Sequence, residues 1–283
     1  MLKKLKEDEF NSLVDRMYIL ACDYSKSSYP TYNDGIQTKE RFIQDAKNSF
    51  QRENEETLLF CDEENVLGWI HYYYLKEDDY LATKSMQSSS KFDLMISEFE
   101  EYVARRYSNF SLYLSFPCKN TNAIEYVESH GYALLDYAHH MVLRMDDYKF
   151  INDDRNVSRL IVEDYEAFGI LHDSVNDGMY WNSKRIKENI DRWDIFVYKL
   201  NNEIIAAIYN FKKETNEIYG VDFNEGIHND VIYEALLISV ANSCKSNGMK
   251  HLCYFCSDEE LATTKKIGFR FINECKGYVK RKQ

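Results

Sequence analysis

Apolar residues along this chain recur with two periods, about two and about three and a half, and each change of period marks an element. After a short strand-like start, Phe10, Leu13, Val14, Met17 and Leu20 fall on one face of a predicted helix. A second helix, TKERFIQDAKNSF, opens at Thr38, a residue type suited to an N-cap. The stretch TLLFCDEENVLGWIHYYYL reads as a β-hairpin turning at Asp62–Asn65, and DDYLATKSMQSSSK as a strand running into a serine-rich loop. FDLMISEFEEYVARRY places Phe92, Met95, Ile96, Phe99, Tyr102 and Val103 on the inward face of an amphipathic helix. FSLYLSF is a strand, TNAIEYVESHGY a short helix ending at Gly131, and YALLDYAHHMVLRM one strand or two.

The polar segment 146–156 reads as a linker, and after it the order begins again. Asn33-Asp34-Gly35 returns as Asn176-Asp177-Gly178, and helix Phe92–Tyr107 as Val231–Asn247. The hairpin VLGWIHYYYLKEDD is matched by IIAAIYNFKKETNE, strand FSLYLSF by HLCYFCS, and Gly131-Tyr132 by Gly268-Phe269. Offsets stay between 137 (Gly131 to Gly268) and 143 (Asn33 to Asn176), which indicates an internal duplication. Two domains are expected, 1–147 and 148–283. Each has a β, α, α, three strands, helix, strand, helix, strand order and a mixed, mostly antiparallel sheet flanked by helices, so the class is α/β (mixed α+β).

The clearest unit is 217–237. Glu217–Phe223 is rich in β-branched and aromatic residues, 224–230 collects turn formers around Gly226, and Val231, Ile232, Ala235, Leu236 and Val240 have helical spacing. A loop feeding a helix presents open amides and the positive dipole end to a phosphate.

Composition narrows the picture. Two prolines and ten glycines in 283 residues, with 45% hydrophobic content, exclude a disordered chain. Residues 1–147 carry 16 Lys+Arg against 26 Asp+Glu, net −10; residues 148–283 carry 19 against 21, net −2. No basic stripe suits nucleic acid, and the acidic half is compatible with a cationic substrate such as an amine. No run approaches the ~18 apolar residues of a membrane span, and no apolar segment follows the basic residues of MLKKLKEDEF, so no membrane or targeting role is expected. Seven cysteines, an odd number in a chain large enough not to need staples, point to free thiols in a reducing cytoplasm. Cys253 and Cys256 form a lone CxxC without a second pair, so no metal site is expected.

The element order resembles the GNAT acyltransferase superfamily, in tandem. The most specific local match is Asn120-Thr-Asn-Ala123-Ile124-Glu-Tyr126-Val-Glu-Ser-His-Gly131-Tyr132, similar to that family's Asn-x-x-Ala-Ile run closing on Gly-Phe. The resemblance implies acetyl-CoA, or another acyl-CoA, held where a strand meets a helix. In the first half Gln87, Ser88, Ser89, Ser90 and Lys91 occupy the family's pyrophosphate loop, with Lys84 and Asn120 nearby and Ala82 on the preceding strand. In the second half the loop contains Glu225 and Asp230, and Val221 and Phe223 lie on the strand. The first half therefore carries more of the polar residues a pyrophosphate needs.

Acyl transfer to an amine needs a base, and a donor for the leaving thiolate. The resemblance implies Glu217 and Asp78, at the starts of the corresponding strands, as base candidates. Val127 and Thr264 stand where the family has its helix Tyr, with Tyr126 adjacent as the acid candidate. The acceptor loop implies Tyr29, Tyr32 and Asp34 in one half, and Tyr180 and Trp181 in the other. The expected function is transfer of an acetyl or other acyl group to the amine of a small molecule or peptide. The alternative is a catalytically degenerate GNAT-like module that binds a ligand or protein partner.

Overall fold

The computed structural model describes residues 1–29, 32, 36–153, 155–177, 179–212, 216–224 and 229–282. Asp34, Gly226 and Glu225 lie outside the described residues. The chain divides into two compact units, Met1–Ala138 with Asn273–Gln283, and His139–Ile272.

The first unit contains β1 (Leu2–Lys4), α1 (Glu7–Ala21), α2 (Lys39–Asn48), β2 (Glu55–Asp62), β3 (Asn65–Leu75), β4 (Tyr80–Ser88), α3 (Phe92–Arg106), β5 (Ser111–Pro117) and α4 (Thr121–Ser129). The strand β6 (Ala133–Arg144) begins in this unit and passes into the second. The second unit continues with β7 (Val157–Arg159), α5 (Tyr165–Val175), α6 (Ser183–Glu188), β8 (Trp193–Leu200), β9 (Glu203–Phe211), β10 (Glu217–Phe223), α7 (Asp230–Ser246), β11 (His251–Cys256) and α8 (Leu261–Ile267). The last strand, β12 (Arg270–Lys280), completes the first unit by pairing Cys275–Lys280 with β5. His139–Arg144 of β6 pairs likewise with β11 in the second. The compact units thus exchange strands across the sequence division at 147/148.

In each unit the sheet is antiparallel except for one parallel pair, β4–β5 or β10–β11. Helices cover both faces. In the first unit Trp69 stacks on Phe42 at 5.2 Å under α1 and α2, and Phe99 packs with Tyr72 and Ile96 under α3. In the second, α7 buries Ile232, Tyr233, Leu236, Leu237 and Val240 on one face of the sheet, while Phe168 and Ile186 cover the other. Val231, counted in the helical spacing, is 56% exposed, while Ile232 and Tyr233 beside it are buried. Thr38 caps α2 as expected, accepting from Arg41 N, and Asn120 caps α4, accepting from Ala123 N.

One backbone irregularity recurs in both units and prepares the site. The β3–β4 register shifts between His71 and Tyr72, which leaves Lys84 bulged; the β9–β10 register shifts so that Tyr219 bulges. A bulge bends its strand and increases the twist. Parallel pairing accordingly stops at Ala82↔Tyr113 in one unit and at Ile218↔Tyr254 in the other. Beyond those pairs the two strands diverge.

Candidate active site

Each unit therefore has a V-shaped opening beyond a bulge, between parallel strands and beside a helix start. The openings are finished differently. In the first unit the chain's own residues 26–29 enter the opening. Ser28 N donates to Met86 O at 2.7 Å, Met86 N to Ser28 Oγ at 2.8 Å, and Ser88 N to Lys26 O at 3.0 Å. On the other side Tyr29 N donates to Ser115 O at 2.8 Å, and Asn120 Nδ2 to Ser27 O at 3.0 Å. Ser27 and Ser28 are each 1% exposed. A ligand seeking that strand edge must displace five hydrogen bonds, each worth roughly 1 kcal/mol net. The bulged Lys84 is also engaged: its Nζ lies 2.6 Å from Glu55 Oε1. Glu55 receives Arg52 Nη1 at 2.7 Å and lies 3.1 Å from His71 Nε2 as well. Burial opposes its charge, but these donors hold the carboxyl down at about 2. Burial depresses the His71 imidazole despite Glu55. An acyl-CoA arm does not fit this opening as it is built.

In the second unit no comparable bridge accompanies β10 among the described residues; the polar groups gather beneath the strand instead. Asp222, 3% exposed, accepts from Asn176 Nδ2 at 2.8 Å and lies 2.7 Å from His172 Nδ1. His172 Nε2 lies 2.8 Å from Trp181 O. Tyr209 reaches the same cluster, and its phenol is pushed far up by burial and by Asp222. A Cβ at Gly220 would sit 2.3 Å from Tyr209 Oη, so glycine is what lets that hydroxyl rest on the strand backbone. Beyond the opening, Asn229 Oδ1 accepts from Val231 N at 2.8 Å and Ile232 N at 3.4 Å, capping the start of α7. The β10 edge at Gly220–Asp222, which carries no such bridge among the described residues, suits an extended acyl-CoA arm; the capped helix start beside Asp230 is a poorer seat for its phosphates.

The residues picked out by sequence fall into several places. Gln87 is fully buried, bridged through its backbone to Ser27, and its side-chain amide has no partner among the described residues. Ser88 Oγ donates to Ser90 O, and Ser89 donates to Leu67 O. Lys91 adopts a left-handed backbone, φ 54°, at the start of α3 and pairs with Asp62 at 2.6 Å. Ala82 pairs on both sides within the sheet. Asp78 ends an exposed turn before β4, at the far end of that strand from Gln87, up to about 30 Å away at ~3.3 Å per residue. Tyr126 stacks on His130 at 3.9 Å and donates to Glu100 at 3.3 Å; burial pushes its phenol up. Tyr29 belongs to the inserted segment, and Tyr32 packs at 4.9 Å on Phe42 in the core. Glu217 opens β10 opposite Phe211 and Cys253, while Val221 and Phe223 face α7. Tyr180 lies under the Arg185 guanidinium at 4.1 Å, and Trp181 packs on Trp193 at 5.2 Å.

Sequence reasoning did not single out Ser28, Glu55, His172, Asp222 or Tyr209. Two signals were present. Asp222 interrupts a strand of β-forming residues, where aspartate is disfavoured. His172 continues the apolar face of α5 one turn beyond Phe168. Thr264, at the family's Tyr position, donates to Glu260 O at 2.8 Å and lies 2.7 Å from Tyr233 Oη, so its hydroxyl is fully engaged. Among the described residues no group of three or more His, Cys, Asp or Glu could hold a metal ion, and no helix is long and apolar enough to cross a membrane. All seven cysteines are free.

Comparison with solved structures identifies the architecture. A GCN5-related N-acetyltransferase from Sphaerobacter thermophilus superposes with a TM-score of 0.70 at 12% identity, over 100% of this chain and 96% of that one. A tandem GNAT protein from the clavulanic acid biosynthesis pathway gives 0.62 at 9% identity, over 100% and 98%. A GCN5-related glucosamine N-acetyltransferase region of a fungal multi-domain β-N-acetylglucosaminidase gives 0.66 at 8%, over 98% of this chain and 38% of that one. The chain has the GNAT fold, twice in tandem. No protein-family profile and no curated protein sequence matches it.

Proposed function

We propose that the protein is an acyl-CoA-dependent N-acyltransferase whose second unit binds acetyl-CoA, or another acyl-CoA, and whose first unit is closed to it. The observation that carries this reading is the contrast between the two openings: residues 26–29 fill the first, and among the described residues no such bridge accompanies β10 at Gly220–Asp222. Bound there, the thioester would supply the activated acyl group. Val221 and Phe223 would support the arm from the α7 side of β10. Glu217, at the entrance of the strand, would take the proton from an acceptor ammonium, and residues 179–182, with Tyr180 and Trp181, would line the acceptor's approach. The acceptor is the amine of a small molecule or peptide. Seven free thiols support a reducing compartment, the cytoplasm.

A second reading has one observation in its favour. The Thr264 hydroxyl is committed to Glu260 and Tyr233, which leaves no evident donor for a departing thiolate, so the second unit would bind a ligand without turnover. Hydrogen exchange with and without millimolar acetyl-CoA tests the main reading. Amides of 219–223 should gain protection while those of 84–88 stay unchanged. Protection confined to 84–88, or no binding at all, overturns it; protection of 219–223 without release of CoA from any amine tried favours the second reading.

A further inference from the structure

Among the described residues every polar atom around His172 accepts or is already engaged, and beside an ionised Asp222 this sets the ring's charge. Trp181 O, 2.8 Å from Nε2, is a carbonyl and can only accept, so Nε2 carries a hydrogen. Asn176 Nδ2 lies 3.2 Å from Nδ1, but its two hydrogens point to His172 O at 3.0 Å and Asp222 Oδ1 at 2.8 Å. The Nδ1 contact at 2.7 Å to Asp222 Oδ2 is therefore a donation by the ring. With both nitrogens donating, the ring is an imidazolium. It is fully buried, stacked on Phe168 at 5.4 Å and edge-on to Tyr209 at 4.9 Å. The charged and titratable groups facing it are Asp222 from β10, Tyr209 from β9 and, on its own helix, Asp173. Asp173 in turn holds Ser183, receiving its N–H at 2.8 Å and its hydroxyl at 2.5 Å. The segment between these anchors is 179–182.

We propose that His172 is a positioning residue: as a buried imidazolium on Asp222 it fixes the Trp181 carbonyl, and with it the acceptor-lining residues 179–182 of the second unit. The acceptor role of that segment rests on the reading of the second unit given above; the charge and the anchoring do not. Loss of the ring proton removes one of two bonds, and the segment loosens while the sheet stays intact.

The test uses the full chain with ¹⁵N-labelled histidine and needs no acyl-CoA. At pH 7 the His172 ring should show two protonated nitrogens, and it should titrate above His71 and His140, which burial depresses. In Asp222→Asn the titration should move to lower pH, the ring's acid constant rising at least tenfold. Exchange protection of 179–182, corrected for base catalysis, should drop across the wild-type titration while β8 and β9 stay protected. In His172→Gln the protection of 179–182 should be low and independent of pH. A single protonated ring nitrogen at pH 7, an unmoved titration in Asp222→Asn, or protection of 179–182 that ignores the His172 titration overturns the proposal. An imidazolium with pH-linked protection in a chain that binds no acetyl-CoA upholds the anchoring and removes only the catalytic reading.

Discussion

In the first unit the edge of β4 beyond Lys84 is bonded to Lys26 and Ser28, and the bulged lysine is neutralised by Glu55. In the second, the bulged residue is Tyr219, and the ionic cluster lies under the strand, between Asp222 and His172. Both units bury a histidine against a carboxylate, yet with opposite consequences. His71 shares Glu55 with Lys84 and Arg52, whose charges already satisfy the carboxylate, so burial dominates and the imidazole is held below its usual range. Around Asp222 the other described donors are neutral, Asn176 and Tyr209, so that carboxylate and the Trp181 carbonyl outweigh burial and raise His172. The same duplicated scaffold thus shifts one buried histidine down and the other up. The first unit satisfies its strand edge with residues 26–29, while the second holds Trp181 and Ser183 through His172 and Asp173.

The largest expected effect breaks the first cluster. Glu55→Ala removes the buried carboxylate shared by His71, Lys84 and Arg52; because the Arg52 side chain is 53% exposed and Lys84 27%, the loss should fall short of a wholly buried pair's, at about 1–3 kcal/mol. Urea unfolding measures it, and a loss below about 1 kcal/mol would mean the pair is screened as at a surface. The pH dependence sharpens the contrast. His71 has a lowered pKa in the folded state, so its contribution is present above about pH 6.5 and is lost as pH falls below that value. His172 has a raised one, so its contribution is complete below about pH 6.5 and is lost as pH rises through the folded value. Stability profiles should therefore flatten on the acid side in His71→Gln and on the neutral-to-basic side in His172→Gln. Matching changes in both variants would contradict the opposite shifts. The smallest effect is expected at Val231→Ser: the side chain is mostly exposed, and the change in stability should stay within about 0.5 kcal/mol. A loss of a buried valine's size would return this residue to the inward face of α7.

Much of the architecture is readable along the chain because periodicity is a local property. Phe92, Met95, Ile96, Phe99 and Val103 are buried as their spacing predicts, and the duplication shows in offsets that vary by only a few residues. Two residues depart from what their sequence neighbours suggest: Tyr32, in a loop, packs beside Phe42 in the core, and Val231, in a helix, is mostly exposed. The serine-rich loop after β4 made the first half look the better phosphate seat. Its neighbours in sequence could not show that residues 26–29, about sixty positions earlier, bond to the strand leading into it.

The sequence by itself determined the element types, their order and their repetition, since each follows from side-chain spacing over ten to twenty residues. Tertiary structure decided which strand completes each sheet, where the bulges part the parallel pairs, and which opening is filled. Those outcomes depend on hydrogen bonds between distant segments, such as Asn120 to Ser27 and His172 to Asp222. Their cost and gain arise only when burial removes water from both partners at once.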